Sequence, residues 1–92
     1  MVTIELPSAL QPYARGNAVV TVDGPCATVG DALAALAARW PGVRDRMMDE
    51  QGALRPHVNV FVDEHNIRFI GGLGAPLDER STITVVPAVS GG

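Results

Sequence analysis

Ninety-two residues make one small domain, of which 47% are hydrophobic, 18% charged and only 4% aromatic; one core of Val, Leu, Ile and Ala is expected, with little room for a deep, dry active site. A net charge of −3 offers no basic face to nucleic acid. All seven basic residues are Arg, which removes Schiff-base, phosphate-loop and isopeptide-acceptor lysines, and the single Cys excludes an internal disulfide and any CxxC redox or zinc site.

Val2, Ile4 and Leu6 alternate with Thr3 and Glu5, the pattern of a half-buried strand. Pro7 ends it, because proline cannot donate to a ladder. Ser8 to Gly16 reads as a loop with apolar Leu10 and Tyr13. Ala18 to Val22 is a second strand leading into an Asp23-Gly24-Pro25 turn. Thr28 is a good N-cap for the clearest helix, although Asp31 in place of Glu or Gln leaves the capping box imperfect. Val29, Leu33, Leu36 and Trp40 share one apolar face. The five alanines among Ala32 to Ala38 supply helix propensity, and Pro41-Gly42 stops the helix. A further helical piece is expected over Val43 to Met48, followed by a polar connection from Asp49 to Pro56. Val58, Val60 and Val62 mark a third strand, Asp63 to Asn66 a turn, and Ile67 to Ile70 the return strand of a hairpin. Gly71 to Pro76 is loop, and Thr82 to Val86 is the last strand. No apolar run approaches the ~20 residues of a membrane span. No basic, then apolar leader opens the chain, so a cytoplasmic, reducing setting is expected.

These elements call for an α+β domain, one mixed sheet of four or five strands packed on one main helix. A right-handed crossover after the second strand sets a later strand parallel to the first. This order resembles the β-grasp, or ubiquitin-like, fold. The domain is expected over residues 1–87, with a mobile, extended tail over residues 88–92.

The tail ends in Gly91-Gly92. Without Cβ atoms such a pair can lie extended in a narrow channel, although a frayed and functionless terminus is also common. Gly92 would offer an unhindered carboxylate. A carboxylate becomes an acyl donor only when activated, and this chain has no phosphate-binding loop, so a partner must hold the ATP.

The segment Ile67-Arg68-Phe69-Ile70-Gly71-Gly72-Leu73 and the ending Val86-Pro87-Ala88-Val89-Ser90-Gly91-Gly92 resemble the ThiS/MoaD sulfur carriers, in particular the actinobacterial CysO-type subgroup. The likeness extends over essentially the whole chain and is least diagnostic in the first 25 residues. It implies a non-enzymatic carrier whose Gly92 carboxylate is adenylated by an E1-like enzyme and converted to a thiocarboxylate. Gly91 would give access to the channel, and Ser90 and Val89 reach. The implied sulfur acceptor is a pyridoxal-phosphate-dependent synthase in cysteine biosynthesis, with a metalloprotease releasing the product. Molybdopterin, thiamine and thiosugar synthesis use carriers of the same kind. No cofactor of the carrier's own is implied. The alternatives are a ubiquitin-like modifier joined to target lysines through Gly92, and a passive interaction module.

Phe61 opposes Val58, Val60 and Val62 by parity, as Val86 opposes Ile83 and Val85. Phe61 either packs under the Ser8–Gly16 loop or belongs to an uncovered apolar face, the usual mark of a partner site. The family's partner docks an apolar sheet face near the tail, which favours an interface of Phe61, Val86 and Leu73. Other residues carry less. Cys26 precedes the helix with no His or acid beside it, so a structural role is the better reading. His57 and His65 lack zinc spacing. Gly71 to Gly74 lacks the Lys and helix of a phosphate cradle, and Asp49-Glu50 and Asp63-Glu64 read as solvated turn residues.

Overall fold

A computed structural model describes residues 1–23 and 26–87. The strands are β1 (Val2–Glu5), β2 (Val19–Val22), β3 (Val58–Val62), β4 (His65–Asn66) and β5 (Thr82–Pro87); the helices are α1 (Val29–Arg39) and α2 (Pro41–Met47). One five-stranded sheet runs β2-β1-β5-β3-β4. β1 pairs antiparallel with β2 and parallel with β5, while β3 lies antiparallel to β5 and β4. The parallel central pair follows from the crossover through α1, as the element order requires. This is the β-grasp architecture.

Alternation along each strand selects the face that α1 covers. Val2, Ile4, Val20, Val22, Val58, Val60, Val62, Ile83 and Val85 are all buried in one cluster with Val29, Ala32, Leu33 and Leu36 of α1. Ala32 is therefore core as well as a helix former. The capping box is complete despite Asp31: the Asp31 backbone N–H donates to Thr28 Oγ1 at 3.2 Å, and Asp31 Oδ2 accepts from the Thr28 and Ala27 backbone N–H groups at 3.2 and 3.1 Å. The shorter acid bonds both amides, so helix entry is fixed at two consecutive peptides. Leu36 is 1% exposed. Leu36→Ala should cost about 2–5 kcal/mol in a denaturant titration, and Leu33→Ala the same; a loss below about 0.5 kcal/mol, typical of surface sites, would remove either residue from the core.

The structure differs from the sequence reading at several places. The Ser8–Gly16 segment contains a 3-10 turn, Gln11–Ala14, and buries Leu10 and Ala14. Pro41 ends α1 but also opens α2 directly as its first residue, where a missing N–H costs nothing. The hairpin's return strand is only His65–Asn66, and Ile67–Phe69 is a 3-10 turn. Asn66 causes this, its side-chain Oδ1 accepting from the Arg68 backbone N–H at 3.0 Å and bending the chain out of the ladder. Finally, β5 runs one residue longer, through Pro87. Gly24 and Pro25 of the expected turn after β2 lie outside the described residues, as does the expected tail from Ala88 to Gly92.

Asp63 is more than a solvated turn residue. It adopts φ 53°, its carboxylate accepts from the Thr82 N–H at 3.1 Å, and its own N–H donates to the Thr82 carbonyl at 2.8 Å. The β3–β4 turn is thereby tied to the start of β5. Asp49 accepts from the Gln51 and Ala53 N–H groups, closing its own loop.

Candidate functional site

Parity on β3 and β5 builds the outer face of the sheet. Because Val58, Val60 and Val62 face α1, Asn59 and Phe61 must face away; on β5, Thr84 and Val86 do the same. The strand registers bring Val19, Glu5, Thr84, Phe61 and Asn66 into one row across all five strands. Val86 stands opposite Asn59, one step nearer the end of β5 and diagonal to Phe61, within reach of a large side chain.

Phe61 is half-buried in this row and Val86 is 38% exposed. The Ser8–Gly16 loop sends Leu10 and Ala14 into the helix-side core, the face away from Phe61. The face is not uniformly apolar. Thr84 Oγ1 donates to Glu5 Oε1 at 3.0 Å, setting an anchored carboxylate in the same row, two strands from Phe61. Val19, 52% exposed on the edge strand, adds a third apolar residue that sequence reasoning missed; parity along β2 opposite Val20 and Val22 would have found it.

Leu73 does not join that face. It is half-buried against the helix-side core, and a Cβ on Gly30 would come within 3.1 Å of the Leu73 carbonyl. Helix and loop meet there so closely that any larger residue at Gly30 would push the Leu73 carbonyl away by a few tenths of an ångström. Gly71 and Gly72 have φ 118° and 62°, a left-handed geometry that glycine adopts without strain. The Gly74 and Ala75 amides donate to the Gly71 and Gly72 carbonyls at 3.1 and 3.0 Å, so they are spent within the turn and not free to cradle a phosphate. Phe69, 86% exposed, was also missed, because a regular return strand would put Phe69 on the same face as the buried Ile67, whereas the 3-10 turn Ile67–Phe69 separates the two.

A groove of about 220 Å³ lies at the foot of β5, lined mainly by Leu10, Tyr13, Arg46, His57, Val85 and Pro87. Arg46 on α2 is its anchored cation: the guanidinium lies 4.4 Å from the centre of the Tyr13 ring and donates to the Tyr13 hydroxyl at 2.6 Å. His57 and His65 are both exposed, and among the described residues no group of His, Cys, Asp and Glu could hold a metal ion. Cys26 is half-buried and packs on the edge of the core, in keeping with a structural role. No helix among the described residues is long and apolar enough to cross a membrane.

Gly91, Gly92, Ser90 and Val89 lie outside the described residues. What the structure places is the root of their segment. β1 and β5 are parallel and finish at the same end of the sheet, where β3 begins, with Val58 opposite Pro87. The Phe61–Val86 face and the Arg46 groove thus flank the point from which residues 88–92 continue.

A protein-family model described as the ThiS family matches residues 4–92. The sulfur carrier protein CysO of Mycobacterium tuberculosis is 34% identical over 93 residues, spanning 99% of this chain and 98% of that protein. A chain from the crystal structure of the Amycolatopsis orientalis BexX/CysO complex superposes with a TM-score of 0.88 at 34% identity, covering 100% of both chains. The small archaeal modifier protein 3 of Haloferax volcanii is 38% identical over 66 residues, spanning 72% of this chain and 71% of that protein.

Proposed function

This chain belongs to the ThiS family of ubiquitin-like sulfur carriers, and on that footing we propose that Gly92 bears the carboxylate that is activated and sulfurised. The family match supports the reading most directly, because it continues through the last residue of the tail and does not stop at the folded domain. An E1-like enzyme supplies the ATP. The Gly92 carboxylate attacks the α-phosphorus, pyrophosphate leaves, and sulfide then displaces AMP from the acyl carbon. The product is a thiocarboxylate, whose sulfur is nucleophilic. Gly91 lets the backbone enter a narrow channel, and Ser90 and Val89 provide reach. The carrier contributes an acyl group and a docking surface; the activating chemistry belongs to its partner.

The E1-like enzyme docks on the Phe61–Val86 face, beside the root of the tail. Leu73, set against α1, contributes to partner binding only from the side. The sulfur acceptor is a biosynthetic synthase. The resemblance to CysO-type carriers implies a pyridoxal-phosphate-dependent enzyme of cysteine biosynthesis as that acceptor, followed by a metalloprotease that frees the product from the tail; the similar CysO chain in the BexX/CysO complex supports assembly with a partner protein.

The test is direct. With its E1-like partner, ATP and sulfide, the protein should gain the mass difference of one oxygen exchanged for one sulfur, and tandem mass spectrometry should place the exchange on Gly92. An unchanged mass with an active partner would end the carrier reading. A second reading follows from the similarity to an archaeal modifier protein: Gly92 becomes linked to lysines of other proteins, and such conjugates in cell extracts would favour it. Either way, the sequence holds no Lys, so chains of this protein linked to one another through an internal side-chain amine should be absent from denaturing gels.

A further inference from the structure

The groove at the foot of β5 has no part in the chemistry above, yet it is built as a site. Its floor is apolar, from Leu10, Val58 and Val85. Its cation is held in place twice, by the 2.6 Å bond to the Tyr13 hydroxyl and by stacking on the Tyr13 ring. A guanidinium has five N–H donors, and only one Arg46 bond is made among the described residues. The ion pair formed by its neighbour Arg44 goes to Asp45, and no acidic side chain lines the groove. In a chain of net charge −3, this is a fixed positive charge kept clear of carboxylates.

The volume, about 220 Å³, lies below the ~300–1,000 Å³ of ordinary small-molecule sites and suits one or two side chains. The groove also adjoins Pro87, so a protein that grips the segment following Pro87 meets the groove on one side of β5 and the Phe61–Val86 face on the other. We propose that this groove is a second docking point for the activating enzyme, accepting one apolar side chain together with a neighbouring Asp or Glu whose carboxylate pairs with Arg46. Charge complementarity and continuity with the tail root select that occupant. The proposal rests on the carrier reading. It adds a polar, orienting contact to an otherwise apolar interface: the guanidinium fork accepts a carboxylate in a defined geometry and so fixes the angle at which the tail enters.

The experiment measures ATP-dependent pyrophosphate release by the E1-like enzyme as a function of carrier concentration, with the full-length carrier. Arg46 is exposed, so its variants should fold, as unfolding curves would verify. Arg46→Gln should raise the KM for carrier about 10-fold and Arg46→Glu further, with kcat unchanged, as expected for loss of a charged interface contact. Arg46→Lys should recover part of the loss, since it keeps the charge without the fork. Tyr13→Phe, which frees the guanidinium but keeps the ring, should fall between wild type and Arg46→Gln. Added salt should weaken the wild type more than Arg46→Gln. A KM unchanged in Arg46→Glu would overturn the proposal. So would a defect confined to sulfur transfer from carrier already in the thiocarboxylate form, which would assign the groove to the acceptor. Failure of the wild-type carrier to be adenylated is a different result: it would refute the carrier reading and this inference with it.

Discussion

Removing Gly92 is expected to abolish thiocarboxylate formation while leaving the unfolding transition where it was. Both halves have a physical reason. The buried cluster closes with Ile83 and Val85 of β5 and includes no residue beyond them among those described, so shortening the chain by its last residue removes no core contact. The reaction, in contrast, needs a terminal carboxylate at a fixed reach from the root at Pro87. Five residues extend at most ~3.3–3.6 Å each, and without Gly92 the acyl carbon falls one residue short. Adding residues after Gly92 should be equally damaging, because the carboxylate is then an internal peptide. Gly91→Val should slow the exchange without ending it, since a β-branched side chain stiffens and widens the segment. Intact-mass spectrometry of each variant after incubation with enzyme, ATP and sulfide provides the readout. Sulfurisation of the shortened chain at the parent rate would leave the passive module as the better account.

Phe61→Asp is expected to weaken binding to the activating enzyme by at least 100-fold in a titration, with a normal circular dichroism spectrum. Phe61 is only half-buried in the free protein, on the face away from α1, so an aspartate there remains hydrated and the fold survives. In the complex the same carboxylate would be desolvated without a partner, at a cost of several kcal/mol. Affinity equal to wild type would take Phe61 out of the interface, and a lost spectrum would place it in the core.

Much of the fold is legible in local pattern. Period-two alternation marks β1 and β3 and decides which of their residues face inward; the 3.6-residue period marks Val29, Leu33 and Leu36 on α1. Thr28 and Asp31 locate the helix start, and Pro41 its end. These signals are local because they reflect backbone periodicity and peptide hydrogen bonding within a few residues. Errors arose where two local tendencies compete. The apolar run Ile67 to Ile70 reads as strand, but the Asn66 side chain captures the Arg68 amide and turns the chain, burying Ile67 and exposing Phe69.

The chemistry proposed at Gly92 was legible for a different reason: a tail needs no fold to be recognised, only its residues and their resemblance to a family. By itself, then, the sequence determined the periodic elements, the inward faces of the strands, the absence of Lys and the Gly-Gly ending. Tertiary structure alone decided which distant residues became neighbours. Strand register set Phe61 and Val86 on one face with Glu5 between Val19 and Thr84, and Leu73 packs instead against the core, close to Gly30 of α1. Packing of α2 on the 3-10 turn brought Arg46 onto Tyr13, 33 residues away, and made a groove beside the tail root. No local pattern encodes such contacts, because they depend on how whole elements pack, and that is settled only when the core closes.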